Sequence, residues 1–292
     1  IRDSDLSLED RWIASRLNAL IDEVTDLFDT HQYGEAGRRI NDFLWSEFCD
    51  WYIEACKIRL WSDDIAAKST AQAMLVSVLE RALRLLHPYM PFVTEEIWQH
   101  LKRAWPGADS LWEESLMICR WPEADTHQID AGAVADMDLL MDLIRQIRNA
   151  RAEFDVIPGK RIPAVVVVGA KEEMLRAQRG LLCFLAKLDD AQLKLVPALD
   201  HKPQKAVALV AGEGVEAYLP LAGLVDLEQE IARLRKAISK ADQEIERAEK
   251  RLANEGFLSQ APPHVIQQQR DRLEREEERR ARLQERLGAL ES

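Results

Sequence analysis

A mainly α-helical fold is predicted: a helical bundle, then a small α+β subdomain, then an antiparallel two-helix coiled coil. Three observations predict it. All eight Trp fall within residues 1–125, among long stretches where apolar residues recur every three or four positions. A β-branched run of strand length, Ile162-Pro163-Ala164-Val165-Val166-Val167-Val168, marks a change of character in residues 126–225. Residues 226–292 hold an apolar repeat with alternating steps of three and four, sustained through about four heptads.

In the first region Ser7 stands where it can cap a helix bearing Trp12, Ile13, Leu17, Leu20, Ile21, Val24, Leu27 and Phe28. A second long helix follows His31-Gln32-Tyr33-Gly34, with Ile40, Phe43, Leu44, Phe48, Trp51, Tyr52 and Ala55 on one side. A third spans 65–86 and stops at His87-Pro88-Tyr89-Met90-Pro91, where two prolines break the hydrogen-bond ladder. Thr94 before Glu95-Glu96 signals the start of a short fourth helix through Leu101. In the second region a helix over 131–152 leads into the β-branched strand. A helix over 171–187 and strand-like runs at 193–196, 206–210 and 215–219 complete the subdomain.

In the third region the first helix carries Leu224, Leu227, Ile231, Leu234, Ile238, Ala241, Ile245, Ala248 and Leu252 on its seam. Asn254-Glu255-Gly256-Phe257 and Pro262-Pro263 end it. A second helix repeats the spacing at Ile266, Gln269, Leu273, Glu276, Arg280, Leu283, Leu287 and Leu290. A turn near Leu258 pairs Leu252 with Ile266, Ala248 with Gln269, Ile245 with Leu273, and Ala241 with Glu276. The polar seam residues Gln269 and Glu276 then oppose alanines, which leave room for them to bend toward water. About 28 residues at ~1.5 Å each give an arm roughly 40 Å long.

The chain has 292 residues and a formal charge of −12, with 47% hydrophobic residues, so it holds enough apolar material for packed cores. The acidic total excludes a uniformly basic nucleic-acid coat. No apolar window is long enough for a membrane span and Ile1-Arg2-Asp3 begins no signal peptide, so a cytoplasmic chain without a membrane partner is expected. Cys49, Cys56, Cys119 and Cys183 form no Cys-x-x-Cys pair, which speaks against zinc or a disulfide framework. No phosphate-cradling loop, Gly-x-Ser-x-Gly or His-Glu-x-x-His occurs, and the six His are dispersed as ordinary polar or capping residues. Asp63-Asp64 and Glu95-Glu96 sit where helix starts favour negative charge. Trp45, Phe48, Trp51, Tyr52 and Trp61 read as core at helical spacing, with base stacking as the alternative. From Asp226 onward there are 14 Lys plus Arg and 15 Asp plus Glu, a net −1 against −11 for the rest. On charge alone, a solvated face laced with ion pairs and a nucleic-acid contact are even readings of this arm.

Three segments resemble a known family. Asp10-Arg11-Trp12-Ile13-Ala14-Ser15-Arg16-Leu17-Asn18 is similar to the D-R-W-I-x-S-R-L-N segment of class I aminoacyl-tRNA synthetases of the valine, isoleucine and leucine group. The stretch from Phe43 to Glu54 resembles the F-x-W-x-E-F-C-D-W-Y-I-E helix of valyl-tRNA synthetases, and that from Leu86 to Trp98 their L-H-P-x-M-P-F-x-T-E-E-x-W stretch. Val225-Asp226-Leu227-Glu228, Asn254-Glu255-Gly256-Phe257 and Ala261-Pro262-Pro263 resemble the tRNA-binding arm of the same family, and no paired-cysteine zinc module of the isoleucine enzymes is present.

The resemblance implies a noncatalytic C-terminal portion of a valine–tRNA ligase: an anticodon-binding bundle at 1–125, a small α+β subdomain at 126–225, and a tRNA-binding coiled-coil arm at 226–292. H-I-G-H and K-M-S-K-S are absent, so valine activation with ATP is expected in polypeptide outside this chain, and no cofactor is expected within it. The family's opening N-F-x-N-K-x-W-N-A helix is also expected to precede the chain. The implied partners are tRNA(Val) and the rest of the synthetase polypeptide, and a monomer is expected. Lys240, Arg247, Lys250, Arg251, Arg270 and Arg272 are the expected backbone contacts of the arm. Arg38, Arg39, Lys57 and Arg59 are weaker candidates on the bundle, where Arg11 and Arg16 read equally well as ion-pair partners. The competing reading is a coiled-coil module mediating self-association; an independent enzyme finds no supporting residues.

Overall fold

The computed structural model of the chain describes residues 6–105, 112–199, 201, 203, 205–220, 227–253 and 263–291. Its contacts divide it into two compact units, one comprising 1–149, 163–201 and 208–218, the other 150–162, 202–207 and 219–292. Residues on both sides of position 125 pack into the first unit.

That unit begins with α1 (Leu8–Asp29), whose start is fixed locally. The Ser7 hydroxyl accepts from the Asp10 amide at 3.3 Å, and the Asp10 carboxylate accepts from the Ser7 amide at 3.1 Å. This reciprocal capping box satisfies two otherwise orphaned donors. The apolar stripe of α1 is fully buried at Trp12, Ile13, Leu17, Ile21 and Val24. Next come α2 (Tyr33–Asp42), a wide-turned segment over Phe43–Tyr52, and α3 (Ile53–Leu60). In the middle segment the ladder follows the i→i+5 pattern, and the Ile53 amide donates to the Phe48 carbonyl. The inward residues Phe43, Phe48 and Tyr52 are separated by steps of five and four, matching that wider turn.

The widened turn splits the aromatic cluster that helical spacing assigns to the core. Phe48, Trp51 and Tyr52 are buried as expected, whereas Trp45 is 63% exposed and Trp61 70% exposed. Trp61 falls beyond the end of α3, where no further turn covers it.

The expected third helix is α4 (Ile65–Leu86), capped by the Asp64 carboxylate, which accepts from the Ala66 and Ala67 amides at 3.0 Å. The fourth, α5 (Pro91–Ala104), begins three residues before the expected Thr94. Pro91 supplies a preset φ at the first helical position, and its missing N–H is one the helix start leaves unpaired anyway. Thr94 is buried inside the first turn, where its hydroxyl donates to the Met90 carbonyl at 2.8 Å. Glu95 is therefore not a helix-start charge. Its carboxylate accepts from the Ser115 hydroxyl at 3.0 Å, the Leu116 amide at 2.9 Å and the Gln99 amide at 2.8 Å, tying α5 to the following loop.

The helix α6 (Ala131–Glu153) buries Met137, Leu140, Leu143, Ile144 and Ile147. It precedes β1 (Ile162–Val167), α7 (Glu172–Ala177), α8 (Arg179–Ala186), β2 (Leu188–Val196), β3 (Ala206–Val210) and β4 (Glu216–Pro220). The single helix expected over 171–187 is broken at Gln178, and the strand expected at 193–196 begins at Leu188, after Lys187 turns the chain with a positive φ of 55°. The sheet order is β2-β1-β4-β3, with β1 and β4 antiparallel and Val165, Val166 and Val167 opposite Tyr218, Ala217 and Glu216. Lys171 fixes the sheet end to α6 through Asp136 at 2.8 Å and Glu213 at 3.1 Å.

In the second unit α9 (Leu227–Leu252) and α10 (Pro263–Glu291) pack against each other. Leu234, Ala241, Ile245 and Ala248 are buried, with Ile238 and Leu252 half-buried on the same line. Val265, Gln269, Leu273, Glu276, Arg280, Leu283 and Leu287 form the half-buried line of α10. Leu224, the turn at Asn254-Glu255-Gly256-Phe257 and Pro262 lie outside the described residues, as do the side chains of Leu227, Ile231, Ile266, Arg272 and Leu290.

The deepest polar anchor of the bundle is Asp10, which is fully buried. Its carboxylate receives the Tyr52 hydroxyl at 2.6 Å and both terminal nitrogens of Arg59 at 2.5 and 2.7 Å. Burial, followed by the Asp10 charge, pushes the Tyr52 hydroxyl far above its ordinary pKa, and burial lifts the Cys56 thiol to about 12. Burial also raises the neighbouring Glu9, against the attraction of Arg59. Removing one partner from such a pair strands a buried charge, so Asp10→Ala should cost about 3–5 kcal/mol in urea unfolding. A loss below about 1 kcal/mol, the range of a surface pair, would refute the anchoring role. Glu95 supplies a pH test. Burial raises its pKa, but the three hydrogen bonds outweigh burial and hold it below the ordinary 4.5. A depressed carboxylate contributes stability that is present above its unfolded value and lost as pH falls through the folded one. The stability gap between the wild-type chain and Glu95→Gln should therefore shrink as pH falls below 4.5; a gap that stays constant or widens on acidification contradicts the bonding scheme.

Candidate nucleic-acid interface

The arm places two of the expected cations of its far end, Arg247 and Arg251, at one depression. Ala248 of α9 and Gln269 of α10 line one depression with Glu244, Arg247 and Arg251, as the expected Ala248–Gln269 pairing requires. Further along, Arg280 reaches Asp242 at 3.4 Å, so higher numbers on α10 meet lower ones on α9 and the hairpin is antiparallel. Both members of the Ile245–Leu273 and Ala241–Glu276 pairs face the seam.

Around this seam the charges are exposed. Arg247 bonds Glu244 at 2.9 Å and Lys250 bonds Glu246 at 2.5 Å, yet the two cations are 72% and 75% exposed. The Lys250 ammonium lowers the pKa of the Glu246 carboxyl through their hydrogen bond. Such solvent-exposed pairs contribute about 0.2–1 kcal/mol, so an incoming phosphate competes with them at small cost. Arg251 stands one turn beyond Arg247 and lines the same depression. Lys240 and Arg270 are exposed and have no ion-pair partner among the described residues. Arg272 lies on α10, but its side chain is outside the described set.

The bundle cations fare differently. Arg38 is bracketed by Glu35 and Asp42 at 2.5 and 2.8 Å, Arg39 by Glu23 and Glu35 at 2.9 and 3.0 Å, and Lys57 is held by Glu54 at 2.5 Å. Arg59 is only 14% exposed and is committed to Asp10 and Glu9. Its desolvation is outweighed by the Asp10 hydrogen bonds, which raise its pKa above the ordinary value and keep it charged inside. It is a structural cation, not a surface one. Arg11 pairs with Asp130 at 2.7 Å and Arg16 forks onto Glu47 at 2.6 and 2.7 Å, both partly exposed.

Sequence reasoning missed a second cationic face. The Arg145 and Arg148 guanidiniums lie 5.4 and 5.3 Å from the Trp51 ring centroid. Arg148 also donates to the Leu185 carbonyl at 2.9 Å. Next to Leu185, Phe184 meets the Trp61 ring edge-on at 6.0 Å and lies beneath the Lys187 ammonium at 4.8 Å. The i,i+3 spacing of Arg145 and Arg148 is the only local signal, because everything they face comes from distant parts of the chain.

Among the described residues no group of three or more His, Cys, Asp or Glu is arranged to hold a metal ion, and no helix is long and apolar enough to cross a membrane. Among the described residues the four cysteines form no disulfide. One unit holds a helical bundle with an aromatic and cationic face, and the other an antiparallel coiled coil bearing exposed cations, two kinds of surface that RNA-binding proteins use. The chain belongs to the family of anticodon-binding domains of tRNA ligases, whose model matches residues 10–166. Residues 226–291 match the valyl tRNA synthetase tRNA binding arm. Among curated relatives, the valine–tRNA ligase of Bacillus subtilis is 38% identical over 97% of this chain and 31% of its own length. Those of Geobacillus stearothermophilus (40%, over 96% of this chain and 31% of the relative) and Carboxydothermus hydrogenoformans (41%, over 99% and 32%) are similar. The chain thus spans about a third of the length of the relatives it matches.

Proposed function

We propose that this chain is the tRNA-holding part of a cytoplasmic valine–tRNA ligase. The observation that carries the reading is the pairing of an anticodon-binding family match with a coiled coil that buries its own seam and leaves its cations exposed. In this reading residues 1–125 lie along the anticodon stem-loop of tRNA(Val), residues 126–225 support them, and residues 226–292 reach the outer corner of the tRNA. With 26 residues, α9 is about 39 Å long, enough to reach a distant part of an L-shaped RNA. Lys240, Arg247, Lys250, Arg251, Arg270 and Arg272 contact phosphates there. They position the RNA without reading sequence. Arg38, Arg39 and Lys57 are secondary contacts that must first release their carboxylates. Unpaired anticodon bases expose edges that duplex RNA hides, which suits recognition by a helical surface.

The ligation itself, joining valine to tRNA with ATP, belongs in this reading to the part of the relatives' length that this chain does not span. The chain supplies no cofactor site to it and works as a monomer joined to the rest of the synthetase. Self-association is the weaker reading, since each arm already satisfies its apolar stripe.

The test is a salt titration of tRNA(Val) binding to the full chain, read by fluorescence anisotropy. Six phosphate contacts predict an affinity loss of about 10³ between 50 and 200 mM salt. Reversing Arg247, Lys250 and Arg251 to Glu should make the slope of log affinity against log salt shallower by about three. An unchanged slope removes the arm-end assignment, and absence of binding at low salt removes the reading as a whole.

A further inference from the structure

One end of the helical bundle is apolar and uncovered. Four helix ends meet there: α1 closes at Asp29, α2 opens at Tyr33, α4 closes at Leu86 and α5 opens at Pro91, all within the first unit. Phe28 joins them, its ring 5.4 Å from that of Tyr33 and 6.0 Å from that of Tyr89. Tyr33, Tyr89, Met90, Phe92, Val93 and Ile97 are exposed on these ends, Phe92 to 91%. Val93 and Ile97 stand one turn apart on α5, and Glu96, bonded to His100 at 2.9 Å, gives the group a polar border. Single apolar side chains are ordinary on a protein surface, but a group of them with a polar border marks a place where something docks.

The backbone that presents this group is held in place. The buried Thr94 hydroxyl donates to the Met90 carbonyl at 2.8 Å and lies 2.7 Å from Nδ1 of His87, closing the two-proline link between α4 and α5. The Tyr89 hydroxyl donates to the Tyr33 carbonyl at 2.5 Å, and its ring lies against Gly37, where a Cβ would stand 3.0 Å from it. These contacts fix the link that carries Met90 and Phe92 without covering either side chain. A surface ordered in advance loses little freedom when a partner docks on it.

Charge selects the occupant. Lys and Arg are absent from 17–37 and from 85–101, so these segments offer no cation to a phosphate backbone. A second copy would set one chain of charge −12 against another. Contacts that stay permanently closed are apolar and poor in charge, and the stretch from Pro88 to Thr94 holds no charged residue. The matched relatives carry about two-thirds of their length beyond the part that this chain spans. We infer that this end of the bundle is the seat on which that further polypeptide of the ligase docks, through an apolar surface of its own that covers Met90 and Phe92. The inference rests on the reading of the chain as part of a valine–tRNA ligase, and it adds a protein contact distinct from any contact with tRNA.

The experiment is hydroxyl-radical footprinting of Met90 and Phe92, read by mass spectrometry, on this chain and on the complete ligase that contains it, both without tRNA. Oxidation of Phe92 should fall about tenfold in the complete ligase, because a ring at the centre of an interface loses nearly all its water. Met90 should fall with it. In the complete ligase Phe92→Asp should return Met90 oxidation to the rate of the chain alone, whereas Phe92→Leu, which keeps an apolar side chain, should leave Met90 protected. Phe92 stands in water in this chain, so Phe92→Asp should leave the chain's own urea midpoint unchanged, which separates lost docking from lost folding. Equal oxidation in chain and ligase overturns the inference, and so does Met90 protection that survives Phe92→Asp. Protection that disappears on dilution assigns the face to a second copy, and protection that appears only once tRNA is added assigns it to RNA; either result overturns the inference. Protection in the complete ligase, together with no tRNA binding by this chain at low salt, upholds the docking seat and removes the tRNA-holding reading.

Discussion

The bundle is organised around one buried carboxylate. Asp10 sits in the first turn of α1, where its role in the capping box is local, and its other lone pairs reach Tyr52 and Arg59. One side chain thereby fixes the start of a helix and holds the wide-turned segment and α3 against it. The surrounding residues are among the most fully excluded from solvent, including Trp12, Ile13 and Tyr52. A charge in such surroundings is tolerated only because its hydrogen-bonding capacity is filled and its counter-charge is fixed in place. The position of α3 relative to α1 is therefore tightly specified, and with it the place where the chain leaves α3 at Trp61.

The arm follows the opposite logic. It has one seam, and that seam is closed by its own two helices. Alanines at 241 and 248 accommodate the long side chains of Glu276 and Gln269, so polar residues on the seam of α10 do not open it. Outside the seam, Arg247 and Lys250 are held by exposed i,i+3 and i,i+4 partners. A surface of weak, exchangeable ion pairs suits contact with phosphates, where one anion replaces another. Near-neutral net charge over the arm and −11 over the rest fit the same division, with repulsion over most of the body and local attraction at chosen faces.

Two arrangements contrast among the surface cations of the helical unit. Where carboxylates lie within three or four residues, as around Arg38, Arg39 and Lys57, the charge is largely answered locally. Where the neighbour is an aromatic ring, as for Arg145 and Arg148 over Trp51, the charge is oriented without being neutralised. The wide turn over Phe43–Tyr52 makes this possible, because it turns Trp51 inward beneath the two arginines while leaving Trp45 outside.

The sequence by itself determined the helices, the strand region, the arm and its register. These depend on local signals: Ser7 and Asp64 as caps, the prolines after Leu86, and the unbroken 3/4 repeat of the arm. Its motifs also identified the family. Where local signals conflicted, the reading slipped, as at Thr94, which resembles a cap but is displaced by the stronger constraint of Pro91. The role of each cation was decided only by tertiary structure. Arg59 looked like a surface charge because its partner Asp10 lies 49 positions away, beyond any local pattern. Arg145 and Arg148 looked unremarkable because Trp51 and Leu185 reach them from distant helices. Helix periodicity is a property of neighbours along the chain. Whether a charge is buried, paired or laid on a ring depends on which distant residue packing brings to it.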